Sequence, residues 1–222
     1  MTTASRSTMK SDVVLELRDV WKRFGAVDVV KGASLSVHQG EVLTLLGPSG
    51  CGKTTTLRMI VGLERVSDGE IEYAGAVVDS SYSRVFVPPN KRNMGMVFQS
   101  YALWPHMTVA ENVAYPLVVR RVKRSEIRER VSRVLDQVGL IGMGDRPSTM
   151  LSGGQQQRVA VARSLVFEPE LLLLDEPFSN LDAKLREQMR GELKELQRRL
   201  GITVLFVTHD QVEALSLSDR VV

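Results

Sequence analysis

The chain has 222 residues, 43% of them hydrophobic, and 29 basic against 26 acidic side chains give a net charge of +3. That length and apolar share suffice for one sizeable core with a smaller lobe attached, and no apolar run approaches a membrane span, so any membrane role must pass through a partner. The charge is too small and too evenly interleaved to imply nucleic acid, and the single cysteine, Cys51, excludes an internal disulfide framework and fits a reducing cytoplasm.

Met1 to Asp12 is polar and rich in Ser and Thr, neither signal nor anchor, and reads as a frayed tail. Val13 to Val20 and Ala33 to Val37 read as strands of a β-rich edge, with Phe24-Gly25 between them. The next stretch, Glu41 to Thr56, runs Glu-Val-Leu-Thr-Leu-Leu-Gly-Pro-Ser-Gly-Cys-Gly-Lys-Thr-Thr-Thr. An apolar strand enters a glycine-rich bend and a helix opens at the lysine, which is the pattern of a phosphate cradle. Gly47, Gly50 and Gly52 let the backbone turn its N–H groups inward around Pro48, Ser49 and Cys51, and the helix start adds the positive end of its dipole. Polyphosphate is the ligand that fits: Lys53 reaches the β- and γ-phosphates, the hydroxyl of Thr54 suits a bridging Mg²⁺, and Thr55 completes the first turn. Cys51 is most simply a small filler of that bend.

After the helix of Thr54 to Val61 come a turn at Glu64 to Gly69, a hairpin of Glu70 to Tyr73 with Ala76 to Val78, and a strand from Met94 to Phe98 that delivers Gln99. From Ser100 to Met150 strands give way to helices, with breaks expected at Pro105, Pro116, Gly139, Gly142, Gly144 and Pro147, so this reads as an inserted helical lobe. Its clearest helix starts near Ser125 and puts Ile127, Val131, Val134, Leu135 and Val138 on one stripe. Leu151-Ser152-Gly153-Gly154-Gln155 then opens a helix to Phe167. Ser152 is a natural N-cap, but two glycines just inside a helix each disfavour it by about 1 kcal/mol relative to alanine, so something must approach that backbone closely. We read it as a second anion site.

Leu171 to Leu174 is a buried strand ending in Asp175-Glu176. Alternation turns the two acids apart, with Asp175 toward the metal shell and Glu176 toward an attacking water. A helix from Ala183 to Leu200 is stopped by Gly201, and Thr203 to Val207 leads to His209, placed to reach the γ-phosphate from the far side of Glu176. A last helix runs through Leu217, and Asp219 to Val222 looks like the opening of another strand, as if the chain were cut short. Helices alternating with buried strands indicate an α/β fold with a largely parallel sheet, whose ligand chemistry belongs at the strands' carboxyl ends.

The cradle Gly47 to Thr54, Gln99, Leu151 to Gln155, Leu171 to Glu176, Ser179-Asn180-Leu181-Asp182 and His209 occur in the order found in ATP-binding cassette (ABC) ATPases, which the chain resembles over essentially its whole length after the tail. Met94 to His106 and Asn180 to Arg186 look like the importer ATPases for maltose-type sugars, polyamines or ferric iron. The resemblance implies a P-loop NTPase core with an antiparallel β edge and an inserted helical subdomain: residues 13–99 and 165–222 as the RecA-like core with its β subdomain, 100–164 as the helical signature subdomain, and a regulatory domain commonly following. It further implies that Phe24 stacks on adenine, Lys53 and Thr54 bind phosphates and Mg²⁺, Gln99 senses the γ-phosphate and touches the metal, Asp175 supports the metal, and Glu176 and His209 act as base and switch. Ser152, Gly153, Gly154 and Gln155 of one copy would meet the nucleotide held by another, with Asp182 linking the two sites. The implied cofactors are ATP and Mg²⁺. The implied partners are a second ATPase subunit, identical or paired, transmembrane permease subunits docking near Gln99 to Met107 and, indirectly, an external solute-binding protein, with the chain peripheral on the inner face of the membrane. The alternative reading is a soluble ABC ATPase of DNA repair or translation, for which the long heptads, cysteine pairs or tandem cassette are missing from this sequence.

Overall fold

The structure, a computed structural model, describes residues 12–222, so most of the expected tail lies outside the described residues. Two sheets organise the chain. Strands β1 (Val13–Phe24), β2 (Val27–His38), β4 (Asp68–Tyr73) and β5 (Ala76–Ser80) form an antiparallel sheet in the order β2-β1-β4-β5. Strands β3 (Val42–Leu46), β6 (Met94–Val97), β7 (Leu171–Asp175), β8 (Thr203–Thr208) and β9 (Arg220–Val221) form a parallel sheet in the order β6-β7-β8-β3-β9. The closing strand read at Asp219 to Val222 is present as β9, beside β3.

The parallel strands are buried on both faces, and their two-residue period sorts their side chains into two cores. Leu171 and Leu173 of β7, Leu205 and Val207 of β8 and Leu43 and Leu45 of β3 face the antiparallel sheet, packing with Leu15, Leu17 and Ile71. The helix α1 (Lys53–Val61) contributes Leu57 and Ile60 to the same core. Leu172, Leu174, Val204 and Phe206 face the other way, onto the helices α2 (Val109–Val119), α3 (Arg124–Gln137), α4 (Gly153–Leu165) and α5 (Ala183–Leu200). Burying each such leucine contributes about 1.5–3 kcal/mol, so one strand drives both layers together.

The first two strands run to twelve residues each, well past the shorter spans read from alternation. The register between them slips at several points, and at Asp19 (φ 47°) the chain takes a left-handed kink, so the period-two pattern is interrupted while pairing continues. Pro116 does not break the helical lobe but sits inside α2. Its missing N–H costs one hydrogen bond, which is outweighed because Val113 and Leu117 on that helix are fully buried against the core. The α4 helix ends at Leu165 rather than Phe167, whereas Gly201 caps α5 in the left-handed conformation (φ 62°), as expected.

Arg92 ties the layers together without any periodic signal. Fully buried, it donates to the carbonyls of Met59 (2.8 Å) and Ile60 (2.7 Å) in the last turn of α1, and to Val87 (2.7 Å) and Val78 (3.1 Å). The buried carboxylate of Asp79 lies 3.9 Å away, and desolvation pushes the Arg92 pKa down to about 10. Arg92→Met leaves four carbonyls and one carboxylate without their donor, and we expect a loss of about 3–5 kcal/mol in denaturant unfolding.

Candidate functional site

The cradle is built where β3 gives way to α1. Gly50 (φ 82°) and Gly52 (φ 98°) hold left-handed backbone, and a methyl group at Gly52 would come 2.6 Å from the Val29 carbonyl oxygen of β2. At Gly47, where the backbone is not left-handed, a Cβ would sit 2.9 Å from the Cys51 Sγ. The exposed Cys51 thiol thus crosses the bend, while Pro48 and Ser49 are exposed at its rim. Lys53 is buried, and its Nζ donates to the carbonyls of Gly47 (2.6 Å) and Pro48 (2.8 Å), so one cation spans the loop from inside. Thr55 stands half-buried in the same first turn.

Gly52→Ala meets both a rigid carbonyl and an unfavourable φ, and we expect it to cost about 1–3 kcal/mol of stability. Gly154→Ala is expected to be nearly neutral in the same denaturant titration. There the close neighbour is the flexible tip of Leu185 on α5, 3.1 Å away, and the gain in helix propensity of about 1 kcal/mol offsets the shift.

Across the cradle, the Thr54 hydroxyl donates to Asp175 Oδ1 at 2.8 Å. Asp175 is buried at the end of β7, and desolvation above all raises its pKa, with the Thr54 hydrogen bond opposing. Glu176 diverges from Asp175 more sharply than strand alternation alone would produce: it leaves β7 in the left-handed region (φ 43°). Its N–H donates to the Val207 carbonyl (3.0 Å), and the Glu176 carbonyl accepts from the Ser179 hydroxyl (3.0 Å). His209, just past the end of β8, lies with its Nδ1 3.1 Å from Glu176 Oε2. Gln99 is exposed after β6, its carbonyl accepting from Asn180 Nδ2 at 2.7 Å. The carboxyl ends of β3, β6, β7 and β8 thus bring Lys53, Thr54, Asp175, Glu176, His209 and Gln99 to one rim of the sheet.

Phe24, exposed at the end of β1, has the Lys22 Nζ 4.8 Å from its ring centroid. The Ser152 stretch stands apart. Ser152 is the N-cap of α4, its hydroxyl accepting from the Gln155 N–H (3.4 Å) while Gln155 Oε1 accepts from the Ser152 N–H (3.0 Å). Sequence reasoning assigned Gln155 to a ligand and missed this reciprocal cap, although Ser-x-x-Gln is its signature. Gly153 is exposed, whereas Gly154 is buried against the side-chain tip of Leu185. Asp182 caps α5 through the Leu185 N–H at 3.0 Å. Among the described residues, no hydrogen bond or ion pair joins Ser152–Gln155 to the cradle of the same chain.

The sequence pattern of the ABC transporter family matches residues 30–179, from β2 through the cradle and α4 to the loop after Glu176. The chain belongs to the ABC transporter family. This ABC chain is 56% identical over 93% of its length to the trehalose/maltose import ATP-binding protein MalK of Thermococcus litoralis. It is 55% identical over 92% to the Fe(3+) ions import ATP-binding protein FbpC 1 of Rhizobium meliloti, and 51% over 97% to the spermidine/putrescine import ATP-binding protein PotA of Aggregatibacter actinomycetemcomitans. It spans 56% of the length of each. Among solved structures, cbiO1 of Clostridium perfringens, part of the ABC transporter complex cbiONQ, superposes with a TM-score of 0.83 at 31% identity, covering 95% of this chain and 84% of that one. The fold is therefore the P-loop NTPase type with an antiparallel sheet attached. No helix among the described residues is long and apolar enough to cross a membrane.

Proposed function

We propose that this ABC chain is the ATP-binding and ATP-hydrolysing subunit of an importer, closing as a pair around two nucleotides to power solute uptake through transmembrane partners. The observation that carries the reading is the Thr54–Asp175 hydrogen bond at the foot of the cradle, with Glu176 and His209 paired beside it. The cradle N–H groups from Gly47 to Thr55 receive the β- and γ-phosphates, and Lys53 exchanges its two carbonyl partners for phosphate oxygens. Phe24 offers its exposed ring face to adenine.

The Thr54 hydroxyl, the Asp175 carboxylate and the Gln99 amide oxygen are hard donors that suit Mg²⁺, and the buried carboxylate has a charge to be compensated. Bound there, Mg²⁺ supplies neutralisation of the phosphate oxygens. Glu176 takes the proton of the attacking water, and His209 orients that carboxylate. Ser152, Gly153, Gly154 and Gln155 act on the nucleotide of the second copy, with Asp182 connecting the two sites. The subunit works on the inner face of the membrane, against permease subunits docked near Gln99 to Met107, with an external solute-binding protein delivering cargo. The helical signature subdomain of residues 100–164 carries both the docking face and the α4 tip.

That the relatives named above are all import ATP-binding proteins favours transport over DNA repair or translation. The test is Mg²⁺-dependent phosphate release by the purified chain, with recovery of membrane-spanning subunits encoded beside it when they are co-expressed. A chain that hydrolyses ATP but retains no such subunit overturns the importer assignment; one that neither binds nor hydrolyses ATP overturns the whole reading.

A further inference from the structure

Between Gln99 and Trp104 the backbone is strained just past a turn that the Tyr101 N–H closes on the Phe98 carbonyl (2.9 Å). Tyr101 (φ 61°) and Ala102 (φ 47°) are consecutive left-handed residues, neither of them glycine. The Tyr101 hydroxyl is buried without a hydrogen-bond partner. Strain and an orphaned polar group in one short segment persist only where the surroundings over-determine the conformation, and such places are characteristic of switches.

The surroundings here are specific. One end of the segment is pinned where Asn180 donates to the Gln99 carbonyl (2.7 Å). At the other end, Trp104 is held through its N–H to Asn112 Oδ1 (2.8 Å), with Asn112 Nδ2 (3.1 Å) and the Ser148 hydroxyl (2.9 Å) donating to its carbonyl. The strained middle is gripped by Arg163 of α4. That buried guanidinium donates one nitrogen to the Ala102 carbonyl (2.6 Å) and another to the Tyr101 carbonyl (2.7 Å), and lies 4.9 Å from the Trp104 ring centroid. A planar fork can hold two successive carbonyls, which a lysine ammonium on a flexible stem cannot do in the same geometry. Arg163 lies on the same helix as Ser152–Gln155, toward its opposite end.

We propose that Arg163 is a positioning residue that latches the Gln99–Trp104 segment in its strained form, so that this segment and the α4 helix move as one body. Released from the fork, Tyr101 and Ala102 return to ordinary backbone angles and the two elements uncouple. The latch itself rests on this geometry alone. Its consequence, that events at the nucleotide reach Trp104 through α4 and Gln99, rests on the proposed ATPase function.

The test uses the full chain carrying Trp21→Phe, so that Trp104 is the sole tryptophan reporter. Arg163→Lys is expected to shift Trp104 emission to longer wavelength as the segment relaxes, and Ala102→Gly added to it to return the emission toward the starting value, because glycine holds the left-handed angle without strain. An unshifted emission overturns the latch. So does a shift that survives Ala102→Gly, since that follows from moving a cation off the indole alone. Should Arg163→Lys not fold, Ala102→Gly by itself decides: the latch predicts a rise of about 2–4 °C in the unfolding midpoint, and no rise overturns it.

In the coupling arm, the Trp104 response to MgATP is expected to disappear in Arg163→Lys while ATP affinity stays within about twofold of the parent, because the latch lies outside the cradle. A surviving response, or a parent that binds ATP with no response, overturns the transmission. A parent that binds no ATP instead refutes the proposed function and leaves the emission arm to decide the latch.

Discussion

Glu176→Gln is expected to lower steady-state ATP turnover by about 10²- to 10⁴-fold, the contribution of a positioned general base, while ATP binding is retained. The substitution conserves shape, and the main chain that aims the side chain is fixed independently of it. The Glu176 N–H is bonded to the Val207 carbonyl and its own carbonyl accepts from Ser179, so the left-handed kink at φ 43° survives. What is lost is the proton acceptor beside His209. Under the proposed function hydrolysis removes the phosphate bridging two copies, so a chain that binds but does not hydrolyse is expected to accumulate in the closed pair. Phosphate release together with sizing in MgATP reads both effects. Multiple turnover at the parent rate would show that Glu176 is not the base.

The cradle was legible because its chemistry is local. Glycines at fixed offsets between an apolar strand and a lysine-threonine helix start mark a bend from strand to helix, and the acids at the end of a four-leucine strand announce a buried strand delivering polar groups to its carboxyl end. The N-cap at Ser152 and the stop at Gly201 are local in the same sense, each a single residue completing the hydrogen bonds of its own helix. Tertiary pairings are what the pattern does not carry. Arg163 reaches carbonyls more than sixty residues away, and Arg92 reaches the last turn of α1 across some thirty, with no periodicity in either. Within the chain the nearest neighbour of Gly154 is Leu185, a contact that the sequence does not reveal, because an empty Cβ position does not say what lies beside it. Pro116 misled for the converse reason: a strong local signal was overridden by burial of the helix around it. The kink at Glu176 could not be anticipated either, since no glycine or asparagine marks a left-handed position there.

Ser152→Arg should reduce hydrolysis by about 10²-fold or more, in the range seen when a preorganised donor to developing charge is removed, while a single copy still binds nucleotide at its own cradle. The fold tolerates the change: Ser152 is exposed, and losing its cap costs about 1 kcal/mol, with a smaller penalty for a cation at a helix start. Separation of the two effects follows from the geometry, because among the described residues the α4 tip makes no bond to Gly47–Thr55 of its own chain. A mixing experiment decides between tip and cradle acting in one copy or across two. Lys53→Met disables a cradle and leaves its tip intact, whereas Ser152→Arg does the reverse. A mixed pair then holds one composite site with an unaltered cradle from the second variant and an unaltered tip from the first. If the nucleotide is gripped across the interface, the mixture hydrolyses ATP faster than the sum of the two variants measured apart. If each copy encloses its own nucleotide, every site in the mixture carries one defect and no activity returns, and a Ser152→Arg chain that loses ATP binding on its own would point the same way.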